Sequence, residues 1–264
     1  MVERSSINER RVPRVNGVKD DSLDLVISAD GTTIGVRRFG RGPGLVLLHG
    51  GVNAAKHMMR LGERLADAYT IYLPDRRGRG TSGPYGSRYC IDREDEDLAA
   101  VIDHSGAEFV FGPADRGLFA LHGSIGIERV RRVAHQGHFP TWLAAVLRHL
   151  PPAATGRLID LLLRLEPARS DGVSWRRLLD ALLPELDLVL STAGMLEQFR
   201  RLEADALLMY GTRTDSMFVT TAAELHRVLP SSTVMPLPGL NHDSTQNYGR
   251  PAAIADALRG FFTP

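Results

Sequence analysis

The length, composition and charge of the chain limit the classes to which it can belong. It has 264 residues, of which 24% are charged, and its formal net charge is +1. This length supports a sizeable core, and we expect one domain with an insertion rather than two separate domains. A near-neutral chain has no overall field to attract nucleic acid or an anionic membrane, so neither is expected as a partner.

The cysteine content and the N-terminal segment favour a cytoplasmic location. Cys90 is the single cysteine, which excludes a disulfide within the chain and fits a reducing compartment. Residues 1–20 are polar and mostly basic and lack the apolar core of a signal peptide. No run approaches the ~18 apolar residues of a membrane span. We expect residues 1–20 to form a flexible tail.

Strand and helix patterns alternate along most of the chain. Asp30-Gly31 is a turn dipeptide between two segments of alternating polarity, and it predicts an antiparallel hairpin over 23–38. Further strands are predicted at 45–48, 69–73, 109–111, 130–134, 206–210 and 233–237. Helices are predicted at 56–66, 93–104, 118–125, 220–228 and 251–262. This alternation is typical of an α/β fold with a doubly wound, mostly parallel sheet of about eight strands.

The alternation of strand and helix patterns stops between 139 and 203, where the pattern is almost entirely helical. We interpret 139–203 as a helical cap, or lid, inserted into a core formed by 21–138 and 204–264. An inserted cap has little core of its own, so its apolar side chains are expected to face a pocket on the core. The residues expected to do so are Trp142, Val146, Leu161, Trp175 and Leu179.

Three short motifs, in this order and spacing, resemble those of the α/β-hydrolase fold superfamily. They are LVLLHGG at 45–51, YLPDRRGRGTSG at 72–83 and LPGLNH at 237–242. In the hydrolases these segments are the oxyanion-hole strand, a D-x-R-G-x-G-x-S loop and the turn that presents the catalytic histidine. The resemblance covers the chain from about residue 21 onward and implies the α/β-hydrolase fold; it says less about the reaction.

The stretch EFVFGPADRGLFAL, at 108–121, resembles the nucleophile elbow of these hydrolases, a strand, sharp turn and helix with the pattern G-x-S-x-G. Here the frame reads Gly112-Pro113-Ala114-Asp115-Arg116. Ala114 therefore occupies the nucleophile position and carries no nucleophile. Arg116 replaces the second glycine, so the departure is not limited to one residue.

The resemblance also implies roles for residues elsewhere in the chain. His242 matches the general base, and Asp215 matches the acid that orients it, one place later than the commonest spacing. Backbone N–H groups of Gly51, or Val52 beside it, and of Asp115 match the oxyanion hole, with Gly50 preceding them in the loop. The alternatives are a loop histidine for His242 and a helix-capping residue for Asp215.

Three further residues have open interpretations. Asp115 would align with the aspartate nucleophile of epoxide hydrolases and haloalkane dehalogenases after a one-residue shift, but the spacing to the strand at 130–134 favours Ala114. His135 and His138 follow the next strand, where some relatives place their acid, and are candidates for either pocket or packing roles. No third ligand joins them, so no metal site is predicted.

Three hypotheses of function follow. The preferred one is an enzyme without a Ser nucleophile, in which His242 and a backbone oxyanion hole act on a largely apolar small molecule in a lyase, isomerase or cyclase reaction, for example in secondary metabolism. The second is a serine ester or lactone hydrolase in which Ala114 replaces Ser. The third is a catalytically silent protein that binds a small ligand. We expect no cofactor, and a monomer or homodimer.

Overall fold

The computed structural model describes residues 22–51, 53–86, 88–137, 141–151, 154 and 181–263. Its centre is an eight-stranded sheet with the strand order β1-β2-β4-β3-β5-β6-β7-β8. The strands are β1 (Ser22–Ile27), β2 (Thr33–Gly40), β3 (Gly44–Leu47), β4 (Thr70–Pro74), β5 (Phe109–Pro113), β6 (Arg132–Gln136), β7 (Asp205–Gly211) and β8 (Ser232–Leu237).

The sheet begins antiparallel and continues parallel. β1 and β2 form the predicted hairpin, in which Ile27 pairs with Thr33 and Gly31 adopts φ 84° in the turn. β2 also pairs antiparallel with β4, whereas every pairing from β4 through β3 to β8 is parallel. The predicted α/β-hydrolase fold, with a mostly parallel sheet, is confirmed.

Helices cover both faces of the sheet. The described helices are α1 (Met59–Leu65), α2 (Ile91–Ser105), α3 (Asp115–Gly123), α4 (Thr141–Arg148), α5 (Leu182–Ser191), α6 (Ser216–Val228) and α7 (Pro251–Phe262). One apolar cluster joins α2, α3 and α6 to one face, and a second joins α1 and α7 to the other. Because parallel strands end at the same edge, the loops after β3, β5, β6 and β8 lie together at one edge of the sheet.

The segment between β6 and β7 is described only in part. α4 and α5 pack against each other through Leu147, Leu186 and Val189. Val146 on α4 is 55% exposed, so the expectation that it faces a pocket is wrong, because the apolar contact of α4 goes to α5 instead. Leu161, Trp175 and Leu179, together with the side chain of Trp142, lie outside the described residues. The division into core and cap stays a prediction.

Within the described part of the chain, no helix has the length and apolar character needed to cross a bilayer. The predicted tail, residues 1–20, lies outside the described residues.

Candidate active site

The turn between β5 and α3 has the geometry of a nucleophile elbow. Ala114 adopts φ 53° and ψ −140°, and is the one residue other than glycine with positive φ in the described ranges. Gly112 leaves room for the sharp turn, since a Cβ there would overlap the Arg116 carbonyl oxygen. A β-carbon at positive φ is strained by roughly 1–3 kcal/mol, and such strain concentrates at functional sites. The strained position of the turn is therefore Ala114 rather than Asp115.

The residues after Ala114 show how the elbow accommodates its altered sequence. Asp115 is the first residue of α3 and is buried, and Arg116 is fully buried despite occupying a position that matches a glycine. Gly117 is instead the residue at which α3 approaches β6 closely, because a Cβ there would overlap the ring of His135. His135, on β6, thus packs beneath the first turn of α3.

The loop after β3 is held by His49, whose role the sequence did not reveal. The backbone N–H of Arg76 donates to His49 Nε2 at 3.0 Å, so that Nε2 is unprotonated and Nδ1 carries the hydrogen. Nδ1 donates to the Gly50 carbonyl at 2.9 Å. Burial, with the charge of Arg76, lowers the pKa of His49 well below its usual value. In a trans peptide the N–H points opposite to the C=O, so this contact turns the Gly51 N–H away from His49.

His242 stands at the same edge of the sheet, beside the elbow. It begins the short 3-10 helix His242–Thr245 after β8, and its ring stacks on Phe218 with centroids 4.7 Å apart. Its Nδ1 lies 3.6 Å from the position that a Cβ on Gly137 would occupy. Burial lowers the pKa of His242, while Asp243 and Asp115 act in the opposite direction. The imidazole is therefore neutral at neutral pH, as a general base requires.

Gln136, at the end of β6, connects the elbow to the loop of His242. Its carbonyl accepts from the Ala114 N–H at 2.9 Å, and its side-chain Nε2 donates to the Asn241 carbonyl at 3.4 Å. Asn241 directly precedes His242. The strained turn and the histidine loop are therefore fastened to the same buried residue.

Asp215 takes a different position from the one expected of an acid partner. It is the N-cap of α6, and its exposed carboxylate accepts from Met217 N at 3.1 Å and from Ser216 Oγ at 3.4 Å. Within the described residues, no hydrogen bond joins it to His242. A carboxylate that satisfies a helix N-terminus in this way has a sufficient structural role.

A buried cluster of charges lies beside the elbow. Five side chains on four segments compose it: Arg76, Arg79, Glu94, Arg116 and Glu185. Arg76 makes two bonds to Glu94, at 2.6 and 2.7 Å, and a third to Glu185 at 3.0 Å. Glu185, on α5, also forms ion pairs with Arg79 and Arg116. This charge cluster therefore attaches α5 to the core.

Two predicted site residues, Val52 and His138, lie outside the described residues. Among the others, the structure brings Ala114, Asp115, Gly51 and His242 to one edge of the sheet and leaves Asp215 at a helix end. Sequence reasoning did not single out His49, Gln136 or Glu185, because each acts through a partner distant in the sequence. No group of three or more His, Cys, Asp or Glu side chains suited to a metal occurs in the described part of the chain.

Comparisons with known proteins support the fold. No family model matches the chain, and no curated protein matches it significantly. Among solved structures, it is similar to an alpha/beta hydrolase from Sphaerobacter thermophilus, with 29% identity and a TM-score of 0.64 over 91% of this chain and 100% of that one. An esterase from Rhodococcus has 22% identity and a TM-score of 0.68 over 91% and 98%. A haloalkane dehalogenase from Bradyrhizobium elkanii has 18% identity and a TM-score of 0.69 over 92% and 97%.

Proposed function

This chain belongs to the α/β-hydrolase fold superfamily, and from that premise we propose that it is an enzyme of proton transfer rather than acyl transfer. Its substrate is a largely apolar small molecule with a carbonyl group. His242 removes and returns a proton next to that carbonyl, and backbone N–H groups stabilise the negative charge that develops on the oxygen. The reaction is of the lyase, isomerase or cyclase type.

The observation that carries the proposal is the strained backbone of Ala114 beside a neutral, partly buried His242. In a serine hydrolase this strain serves to present the hydroxyl, and Ala114 has none. The turn still places the Asp115 N–H at the start of α3, where N–H groups have no acceptor within the helix itself. Retention of the strain without the nucleophile supports a role for the backbone donors.

The proposed step uses groups that this chain supplies. The bond between carbon and hydrogen next to the substrate carbonyl breaks, and His242 accepts the proton. The electron pair moves to the carbonyl oxygen, which accepts hydrogen bonds from the N–H groups of Gly51 and Asp115. The protonated histidine then returns the proton to another atom, which gives isomerisation, or to a departing group, which gives elimination.

A second candidate, a catalytically silent protein that binds a small ligand, is favoured by one observation. The Asp215 carboxylate bonds to the N-terminus of α6 rather than to His242. The third hypothesis, a serine hydrolase altered only at Ala114, is weakened by Arg116. A lone replacement of Ser would leave a small residue at the second glycine position, whereas a large buried side chain occupies it.

Hydrogen exchange with solvent tests the proposal. The protein is incubated in D₂O with apolar ketones, esters and lactones, and deuterium next to the carbonyl is measured by mass spectrometry. We expect exchange that falls by ~10²–10⁴ in His242→Ala, the usual contribution of one positioned acid–base group. His226→Ala, on the exposed end of α6, is the matched control and should leave exchange unchanged. Absence of exchange across the panel would favour the silent binding protein.

A further inference from the structure

One carboxylate in the charge cluster serves three guanidinium groups. Glu185 Oε1 accepts from Arg76 and Arg79, and Glu185 Oε2 pairs with Arg116. The other carboxylate, Glu94, accepts two hydrogen bonds from Arg76, at 2.6 and 2.7 Å, and one from the hydroxyl of Tyr89. Arg79 and Arg116 therefore share Glu185, the one carboxylate that α5 contributes to this cluster.

Arg116 has donor capacity that no described residue uses. Its side chain is 0% exposed, and its Nε and Nη1 have no hydrogen-bond acceptor among the described residues. Its remaining nitrogen faces Glu185, and its guanidinium lies over the ring of Phe119, 4.2 Å from the centroid. Buried donors without acceptors are costly and rare in native proteins, so their presence needs an explanation.

The location of Arg116 relates these donors to the candidate active site. Arg116 follows Ala114 by two residues, and its Nη2 lies 3.8 Å from the position that a Cβ on Gly51 would occupy. Glu185 Oε2 lies 3.6 Å from the same position. The ion pair is thus beside the loop whose N–H is expected to bind the substrate oxygen.

Arg116 remains charged at neutral pH. Burial, followed by the nearby charge of Arg76, lowers its pKa to about 10, while Tyr89, Glu94 and Asp115 act in the opposite direction. A planar guanidinium that is charged and buried is suited to a carboxylate, which it binds through two parallel hydrogen bonds.

We propose that Arg116 binds the carboxylate of an organic acid beside Gly51, in exchange with the Glu185 carboxylate of α5. Without a ligand, the Glu185 carboxylate occupies the position that the ligand carboxylate would take, and α5 shifts when the ligand binds. This inference rests on the proposed function and adds to it, because it assigns the substrate to molecules with both an apolar body and a carboxylate.

Binding measurements test the exchange without requiring turnover. The probes are straight-chain carboxylates from acetate to decanoate and the neutral amide of each, titrated by calorimetry into the full chain at constant chloride concentration. Because hydrogen bonds to a charged group are the strong ones, we expect the best carboxylate to bind roughly 10- to 100-fold more tightly than its amide. In Glu185→Gln, which removes the competing charge and keeps the shape, carboxylate affinity should rise about 10-fold while amide affinity stays the same.

Two variants serve as controls. Asp187→Asn removes a charge from the same helix, α5, at an exposed pair with Arg148, and should leave carboxylate affinity unchanged. Arg116→Lys keeps the charge without the planar fork and should lose most of the preference for carboxylates. Each variant is first shown to be folded by circular dichroism.

Two outcomes would overturn the proposal. One is that folded Glu185→Gln binds no carboxylate of the series more tightly than its amide. The other is that Asp187→Asn raises carboxylate affinity as much as Glu185→Gln does. His242→Ala separates this inference from the proposed function: it should abolish proton exchange and preserve the carboxylate preference. A preference that persists in a protein without exchange activity would contradict the proposed function alone.

Discussion

Arg116 and Glu185 form a buried ion pair that joins the helix after the elbow, α3, to α5 in the segment between β6 and β7. The side chains are 0% and 5% exposed, respectively. Charges that have lost their hydration depend on each other, so neither side chain is independent of its partner. The pair couples the geometry of the elbow to the position of α5.

A double-mutant cycle on this pair should show strong coupling. Removal of one partner leaves the other charge buried without its pair, so Arg116→Met should lower the free energy of unfolding by ~3–5 kcal/mol. Arg116→Met combined with Glu185→Met should cost less than the sum of the single changes, with a coupling of about 1–3 kcal/mol. Urea unfolding measures each term. The exposed pair Arg148–Asp187 is the control, and its coupling should stay below about 1 kcal/mol. Equal coupling in both pairs would contradict a buried, dependent ion pair.

The strain at Ala114 should appear as a gain in stability when it is relieved. Glycine adopts φ 53° without a Cβ clash, so Ala114→Gly should raise the free energy of unfolding by ~0.5–2 kcal/mol, after its cost in chain entropy is subtracted. Ala120→Gly, in the interior of α3, should have the opposite sign and cost about 1 kcal/mol or more. Chemical denaturation compares the two. A loss of stability in Ala114→Gly would show that the turn is not strained.

Glu94 should make stability depend on pH in the acid range. Burial acts to raise the pKa of Glu94, but Arg76 outweighs it and lowers the pKa from 4.5 to about 2. A lowered pKa in the folded state stabilises the protein above pH 4.5, and this contribution is lost as the pH falls toward 2. The shift corresponds to roughly 3 kcal/mol. The free energy of unfolding, measured from pH 6 to pH 2, should therefore fall less steeply in Glu94→Gln than in the original chain. Glu224→Gln, at an exposed carboxylate on α6, should reproduce the original slope.

Asp215 should behave as a helix cap. Asp215→Ala should cost about 1 kcal/mol of stability, whereas Asp215→Asn should cost only a few tenths, because the amide oxygen still accepts from Met217 N. Neither change should move the pKa of His242 in an NMR titration. Asp243→Asn should lower that pKa, since Asp243 acts to raise it. A fall in the pKa of His242 in Asp215→Asn would restore Asp215 as its acid partner.

The order of strands and helices was predictable because each pattern depends on neighbouring residues. The Asp30-Gly31 turn and the apolar runs of the parallel strands follow from local sequence, and the bounds of these elements differ from prediction by only a few residues. The elbow was also predictable, because Gly112 and the strand before it specify a sharp turn whether or not a nucleophile follows.

The environment of the site was less predictable because its contacts join distant segments. His49 meets Arg76 across 27 residues, and Arg76 meets Glu185 across 109. Periodicity indicates that α5 is helical but not which core residue Glu185 contacts. The same limit applies to Val146, which is exposed although its spacing placed it on an apolar face.

The measurement that tests the central claim most directly is pre-steady-state kinetics on activated esters and lactones, with the original chain and Ala114→Ser compared side by side. If His242 acts in proton transfer without a nucleophile, neither protein forms an acyl-enzyme in a burst, because Arg116 leaves the elbow without the small residue that acyl transfer requires. Mass spectrometry of the quenched protein detects any acyl group. We predict no added mass in either form. A rapid burst and an acylated protein in Ala114→Ser alone would contradict the account and identify a disabled serine hydrolase.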